Sequence, residues 1–235
     1  MQIQSSVPHC IYLVGGAVRD SLMDLKPHDY DYVVVASSLL DVRQVVESIE
    51  GAIVVHEDAR YGLIRAKINK DVVDFVMARC DGAYTDHRHC DSVRPGTLLE
   101  DLSRRDFTVN AIAIDTCSNM VHDPYNGADD VATKTLKCVG NANERLSEDP
   151  LRILRALRLM ITHGLAPDSQ LQMCLRDSAI AQMISYVSAD RLRQELQRCT
   201  QHNVQDCLNL LVKYPHLLSA ILKKVTIKWQ KNLIL

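Results

Sequence analysis

The sequence predicts an α+β protein, with a mixed α/β N-terminal part followed by an all-helical remainder. Three observations carry this. Short runs rich in β-branched residues, YDYVVVA at 30–36 above all, recur in the N-terminal part. Turn residues such as Pro27 and Ser37-Ser38 bound them. From Glu144 onward the apolar residues shift to a helical period, as in DPLRILRALRLM at 149–160.

Taken in order, residues 10–14 read as a short apolar strand, and Gly15-Gly16 turns the chain into a helix over 17–23. A second strand at 30–36 precedes a helix at 39–49, where Leu40, Val42, Val45, Val46 and Ile49 keep helical spacing. Strands follow at 52–55, 62–68 and 72–78. Residues 80–97 carry Gly82, Pro95 and Gly96 and little apolar content, so they read as one long loop of the kind that is often functional. Leu151, Ile153, Leu154, Leu157 and Leu159 give the 149–160 helix a broad apolar face. Pro150 suits its first turn, and Asp149 or Ser147 its cap. Ser188-Ala189-Asp190 opens another helix, and one or two more, broken near Pro215, complete the chain.

Composition narrows the class. With 235 residues, 47% hydrophobic and 24% charged, the chain has ample material for a core. It has no apolar stretch long enough for a membrane span, and no basic-then-apolar start of the secretory kind. Eight cysteines without a Cys-x-x-Cys pair suit reduced thiols, so a cytoplasmic location is expected. His87-Arg88-His89-Cys90 lacks a second ligand pair at finger spacing and reads as a polar loop, not a zinc site. Charge is uneven. Residues 1–140 hold 14 Lys/Arg against 21 Asp/Glu, a balance of −7, whereas 191–235 hold 8 against 2, a balance of +6. That asymmetry suits either an enzyme gripping metals at one end and phosphates at the other, or a helical tail with solvated lysines.

Four motifs carry chemistry. Asp29 and Asp31 are two apart on a strand, so they project from one face and offer hard oxygens of the kind that suit Mg²⁺. Alone, such a pair is weak evidence and reads sooner as solvated turn carboxylates. Gly15-Gly16 lets the backbone approach phosphates, and Arg19, one turn on, adds a forked donor; otherwise it is a tight turn with Arg19 at the surface. The turn is neither a Walker motif nor a dinucleotide fingerprint. In EDLSRRDFTVNA (100–111), one of Arg104 and Arg105 can meet a triphosphate while Asp106 orients the other, or the cluster is a buried salt bridge. In EDPLRILR (148–155), Asp149, Arg152 and Arg155 form one helical ridge. An acceptor beside a donor can read the Watson–Crick edge of cytosine or adenine and reject uracil and guanine. The alternative is a surface salt bridge.

The order of these segments resembles the class II family of tRNA nucleotidyltransferases (CCA-adding enzymes) and bacterial poly(A) polymerases. LVGGAVRD (13–20), DYDYVV (29–34), DLSRRDFTVNAIA (101–113), DPYNG (123–127) and EDPLRILRALR (148–158) carry the likeness, with SADRLRQEL (188–196) a looser match. The resemblance implies a polymerase-β-like nucleotidyltransferase head with a mixed sheet over 1–140, a helical neck over 141–187 that recognises the nucleotide, and a short, basic, RNA-contacting body over 188–235. It implies that Asp29 and Asp31 are catalytic Mg²⁺ ligands, that Gly15, Gly16, Arg19 and Arg105 contact the triphosphate, and that Asp149, Arg152, Arg155 and Arg158 recognise the base. Asp74 is either a third carboxylate or structural; Asp86, Arg88, Asp106 and Asn110 join the candidates. The activity implied is template-independent repair of the tRNA 3′ CCA from CTP and ATP with release of pyrophosphate. Rivals are a poly(A) polymerase, an A-only or CC-only enzyme, and an inactive RNA-binding relative. The loop at 84–88 favours A addition, because members that add only C lack such a loop. Asp24 stands where the family usually has glycine, and relatives continue through a longer body and tail, so the resemblance implies either that such a tail is dispensable or that RNA is held mainly by the basic residues Arg191, Arg193, Arg198, Lys213, Lys223, Lys224, Lys228 and Lys231.

Overall fold

The computed structural model describes residues 10–87 and 90–232, with side chains described as far as residue 225. They fall into two compact units, one comprising the residues up to 83 together with 91–133, the other 84–90 together with those from 134 onward.

The first unit runs β1 (Cys10–Val14), α1 (Gly16–Leu22), β2 (Tyr30–Val35), α2 (Leu39–Glu47), β3 (Ala52–Asp58), β4 (Leu63–Ile68), β5 (Asp71–Met77), β6 (Arg79–Asp81), β7 (Val93–Pro95), α3 (Leu98–Ser103), β8 (Ala113–Asp115), β9 (Val121–His122) and α4 (Gly127–Ala132). Seven of these strands form one mixed sheet in the order β3-β4-β5-β2-β1-β8-β9. β2 and β5 are parallel and the other neighbours antiparallel.

One face of that sheet is closed by α2. Ser38 accepts from the Asp41 backbone N–H while the Asp41 carboxylate accepts from that of Ser38, a reciprocal cap that starts the helix cleanly. Its Val42, Val45 and Val46, with Ile49 beyond it, then pack on Tyr32, Val34, Ile64, Ala66, Ile68, Val73 and Phe75. Each such aliphatic group contributes roughly 1.5–3 kcal/mol on burial. Tyr32 and Phe75 stack with centroids 5.4 Å apart, and burial pushes the Tyr32 hydroxyl up to about 12. Because strand residues alternate, this buried face turns Asp31, Arg65 and Asp74 to the other side of the sheet.

Two sequence expectations are corrected here. Residues 80–97 are not one loop, since their ends pair as the antiparallel ladder β6–β7; three-residue strands reading RCD and VRP have too little apolar alternation to be visible. β3 extends to Asp58 because a bulge between Val54 and His56 resets its register. In the turn after α1, Asp24 takes φ 56°, a left-handed conformation that glycine adopts more readily.

The second unit is helical apart from a two-stranded parallel ladder: β10 (Thr135–Leu136), α5 (Ala142–Glu148), α6 (Leu151–Thr162), β11 (Ala166–Pro167), α7 (Ser169–Arg176), α8 (Ser178–Gln182), α9 (Ala189–His202), α10 (Val204–Lys213) and α11 (Pro215–Asn232). The α6 core face, Ile153, Leu154, Ala156, Leu157 and Leu159, is fully buried, and α9 packs against this helix. Asp168, Asp177, Ser188 and Asn203 each cap the helix that follows. Among the described residues no helix is long and apolar enough to cross a membrane.

Candidate functional site

Gly15 ends β1 with φ +73°, a conformation few other residues adopt, and its turn delivers the chain into α1. A β-carbon placed there would lie 3.3 Å from Arg105 Nη1 and 3.9 Å from Asp31 Oδ2. The glycine turn, one carboxylate and one arginine therefore surround a single small volume. β1–β2 pairing sets Asp31 opposite Val14, and Asp29 lies two residues earlier, just before β2. Both carboxylates are exposed.

Arg105 is aimed by Asp101, which is wholly buried and takes Arg105 Nη2 at 2.8 Å and Arg104 through its other oxygen. Burial opposes ionisation of Asp101, but Arg105 and Arg104 outweigh it and hold the carboxyl below its usual range. Arg105 Nη1 also donates to the Asn110 carbonyl at 3.3 Å. The residue that orients the arginines is thus Asp101, not Asp106. The signal was present in the sequence, because an aspartate three and four residues before two arginines is helix-compatible pairing. Asp106 instead accepts from the Phe107 backbone and from Asn110 Nδ2 at 3.0 Å. Asn110 Oδ1 in turn accepts from Arg19 Nη1 at 2.5 Å, and Arg19 Nη2 meets Asp20 at 2.7 Å. Arg19 is buried, not at the surface, with Nη2 3.3 Å from a β-carbon placed at Gly16. Arg19, Asp20, Asp106 and Asn110 form one buried network beneath the glycine turn.

Asp74 lies in register with Asp31 on β5 and receives both arms of Arg65, at 2.6 and 2.7 Å. Among the described residues no group of three His, Cys, Asp or Glu side chains is arranged to hold a metal ion.

In the second unit, Asp149 is not on the α6 helix. It is the extended residue joining α5 to α6, with φ −140°, and its Oδ1 accepts from the Leu151 backbone at 3.1 Å. Pro150 follows it as the residue at which α6 starts. Burial raises the Asp149 carboxyl, against the pull of the Leu151 N–H and of Arg152, Arg191 and Arg155. The sequence assigns Arg191 only to RNA contact, and the action of its charge on Asp149 has no local signal, for the two stand 42 residues apart. Arg152 is buried and donates from Nη1 to Glu148 Oε2 at 2.8 Å and to the Arg145 carbonyl at 2.9 Å. Arg158 Nε meets Glu195 of α9 at 2.6 Å, tying α6 to α9. Asp86 lies on an exposed turn, and the next residue, His87, donates from Nδ1 to the Ser147 carbonyl at 2.7 Å and packs on Tyr186. Arg88 lies outside the described residues.

A nucleotide-transfer head is the class that this sheet, glycine turn and carboxylate pair define. The Poly A polymerase head domain family matches residues 11–137, and the chain belongs to that family. It is 36% identical over 197 residues to a CCA-adding enzyme of Oceanobacillus iheyensis, covering 81% of this chain and 46% of that one. To a CCA-adding enzyme of Listeria monocytogenes it is 32% identical over 206 residues, 86% and 50% of the two chains. Among solved structures, Bacillus stearothermophilus CCA-adding enzyme in complex with CTP superposes with TM-score 0.73 at 26% identity, over 89% of this chain and 49% of that one. A tRNA nucleotidyltransferase complexed with a primer tRNA and an incoming ATP analog gives TM-score 0.75 at 28% identity, over 89% and 58%. The chain spans about half the length of the curated relatives it matches.

Proposed function

We propose that this chain catalyses template-independent addition of C and A to the 3′ end of tRNA, using CTP and ATP and releasing pyrophosphate. The observation that carries the reading is the convergence of Asp31 and Arg105 on the Gly15 turn, in a chain whose relatives are CCA-adding enzymes.

The residues of the first unit take the triphosphate. Arg105, fixed by Asp101, presents its guanidinium where Gly15 leaves room for phosphate oxygens. Arg19 acts from below, holding Asn110 in place beside the glycine turn. Asp29 and Asp31 fit a hard divalent cation, Mg²⁺ on this reading, because both are exposed carboxylates and Mg²⁺ completes its shell with water and substrate phosphates. When bound, the cation supplies activation of the RNA 3′-hydroxyl and neutralises charge at the α-phosphate and departing pyrophosphate. The residues of the second unit read the base: Asp149 accepts from an exocyclic amine and Arg152, held by Glu148, donates beside it. Head over 1–140, neck over 141–187 and basic body over 188–235 remain the proposed division of labour.

Incubation of the protein with tRNA ending before its CCA, with each labelled nucleotide alone and then together, tests the reading. Ordered addition of C, C and A supports it. A long A tract supports the poly(A) alternative, a partial sequence a C-only or A-only enzyme, and no addition the inactive relative. Asp31→Ala is expected to abolish transfer with unchanged circular dichroism; normal turnover in that variant would remove the assignment.

A further inference from the structure

Three arginines and two buried carboxylates form a chain through the first unit, from the turn between β3 and β4 to Arg105. Arg79 of β6 donates from Nη1 to the Tyr61 carbonyl at 3.2 Å, and its guanidinium lies over the Tyr61 ring, 5.3 Å from the centroid. Asp81, two residues on and so on the same face of β6, has its Oδ1 2.9 Å from Arg79 Nε and a side chain only 3% exposed. Its other oxygen lies 3.7 Å from Arg104 Nη1. Arg104 then reaches Asp101 Oδ1 with Nε, at 3.0 Å, and with Nη2. Asp101 Oδ2 takes Arg105 instead, through Nε at 3.3 Å and Nη2 at 2.8 Å. The aim of Arg105 depends on that division of Asp101. A guanidinium fork can engage both oxygens of a carboxylate, yet Arg104 takes one, with the anionic Asp81 on its far side.

We propose that Asp81 is a positioning residue of the nucleotide site: by attracting Arg104 from the far side it reserves Oδ2 of Asp101 for Arg105, and so keeps Arg105 turned toward the Gly15 turn. Asp81 acts through Arg104 and Asp101 without itself touching the nucleotide. With Asp81 neutral, Arg104 competes for the whole of Asp101 and Arg105 loses its hold. The inference rests on the contact between Arg105 and the triphosphate proposed above.

Equilibrium dialysis of labelled CTP in the absence of RNA tests it without reference to turnover. Asp81→Asn is expected to weaken CTP binding by about tenfold. Arg104→Gln removes the competitor and leaves Asp101 to Arg105, so Asp81→Asn/Arg104→Gln is expected to recover an affinity within about twofold of Arg104→Gln alone. A purely structural role would not be relieved in this way, because a second loss from the same buried cluster would add to the first. Unchanged affinity in Asp81→Asn, or a double variant that binds no better than Asp81→Asn, overturns the inference. Asp81→Asn leaves buried arginines with less anion, and a thermal melt shows whether it folds. Where it does not, the charge-balanced double variant decides against Arg104→Gln: equal affinity supports the inference and further loss overturns it. Arg105→Gln separates the two levels. If it weakens CTP binding while Asp81→Asn does not, only the role of Asp81 fails; if it leaves binding intact, the triphosphate contact itself is wrong.

Discussion

Asp149 and Asp31 are both carboxylates assigned to nucleotide chemistry, yet their surroundings differ. Asp31 is exposed at the start of a strand, whereas Asp149 is half-buried and its carboxyl is raised, chiefly by burial. A carboxyl raised in the folded state favours folding when protonated, so at neutral pH its ionisation costs stability and that cost disappears in acid. Base reading demands the opposite form, because only the ionised group accepts from an exocyclic amine on both oxygens. Discrimination of CTP against UTP should therefore fall as pH drops through a value above the ordinary carboxylate range. Asp149→Asn should abolish that pH dependence, reduce the discrimination at neutral pH by at least tenfold, and raise the melting temperature there. Measurement of kcat/KM for both nucleotides across about pH 4.5–7.5 checks the first two outcomes, and calorimetry the third. A pH-independent preference in the parent protein would place base recognition on other groups.

At the scale of elements, α3 and the turn after it convert a charge cluster into a directed donor. Thr97 and Glu100 cap α3 reciprocally, and the helix holds Asp101 at zero exposure facing Arg104 and Arg105. Because the Asp101 carboxyl is lowered, its contribution to stability is present above the ordinary aspartate pKa and is lost as pH falls through the lowered value. Asp101→Asn should cost about 3 kcal/mol at neutral pH, by leaving two arginines without their anion, and should raise KM for nucleotide more than it lowers kcat. Urea titrations at neutral and acid pH check the first, showing a smaller gap from the parent in acid. The DPYNG segment works similarly. Asp123 accepts from the Gly127 and Ala128 backbones at 2.7 and 2.8 Å, Asn126 takes φ 56°, and a β-carbon on Gly127 would lie 2.1 Å from the Thr108 carbonyl oxygen. Gly127→Ala should destabilise the first unit by about 2–3 kcal/mol, since neither backbone can yield. Such close approaches explain what the sequence conceals. The strands β1, β2, β4 and β5 were legible because alternation and branching mark them, and α6 because its apolar period is broad. Asp29, Asp31 and the glycine turn were legible as residue types. What was not legible is tertiary: Arg65 pairs with Asp74 only because β4 and β5 pair in that register, Arg19 goes inward only because Asn110 meets it across 91 residues, and the charge of Arg191 acts on Asp149 only through the fold of the second unit.

Across the whole molecule, charge is arranged against its apparent use. The first 140 residues carry a balance of −7 and the last 45 one of +6, so a polyanion approaching the acidic part is repelled unless cations or the basic part offset it. On the proposed reading, tRNA phosphates are held mainly by the C-terminal helices, while the acidic part meets only the reacting end. The basic residues there are not equivalent. Arg193 and Arg198 already pair with Asp190 and Glu195, and Lys224 donates to the Ser185 carbonyl at 2.5 Å. The side chains of Lys228 and Lys231 lie outside the described ones. Lys213 and Lys223 are exposed and are the better candidates for phosphate contact. Lys213→Gln/Lys223→Gln should weaken tRNA binding, lower the slope of log affinity against log salt by about 1 per lysine, and leave the CTP-to-UTP ratio unchanged. Filter binding over a salt series measures the slope, because counterion release is counted there independently of any change in turnover. An unaltered slope with unaltered affinity would mean that the phosphates are held elsewhere, and that the basic C-terminal helices serve solubility instead.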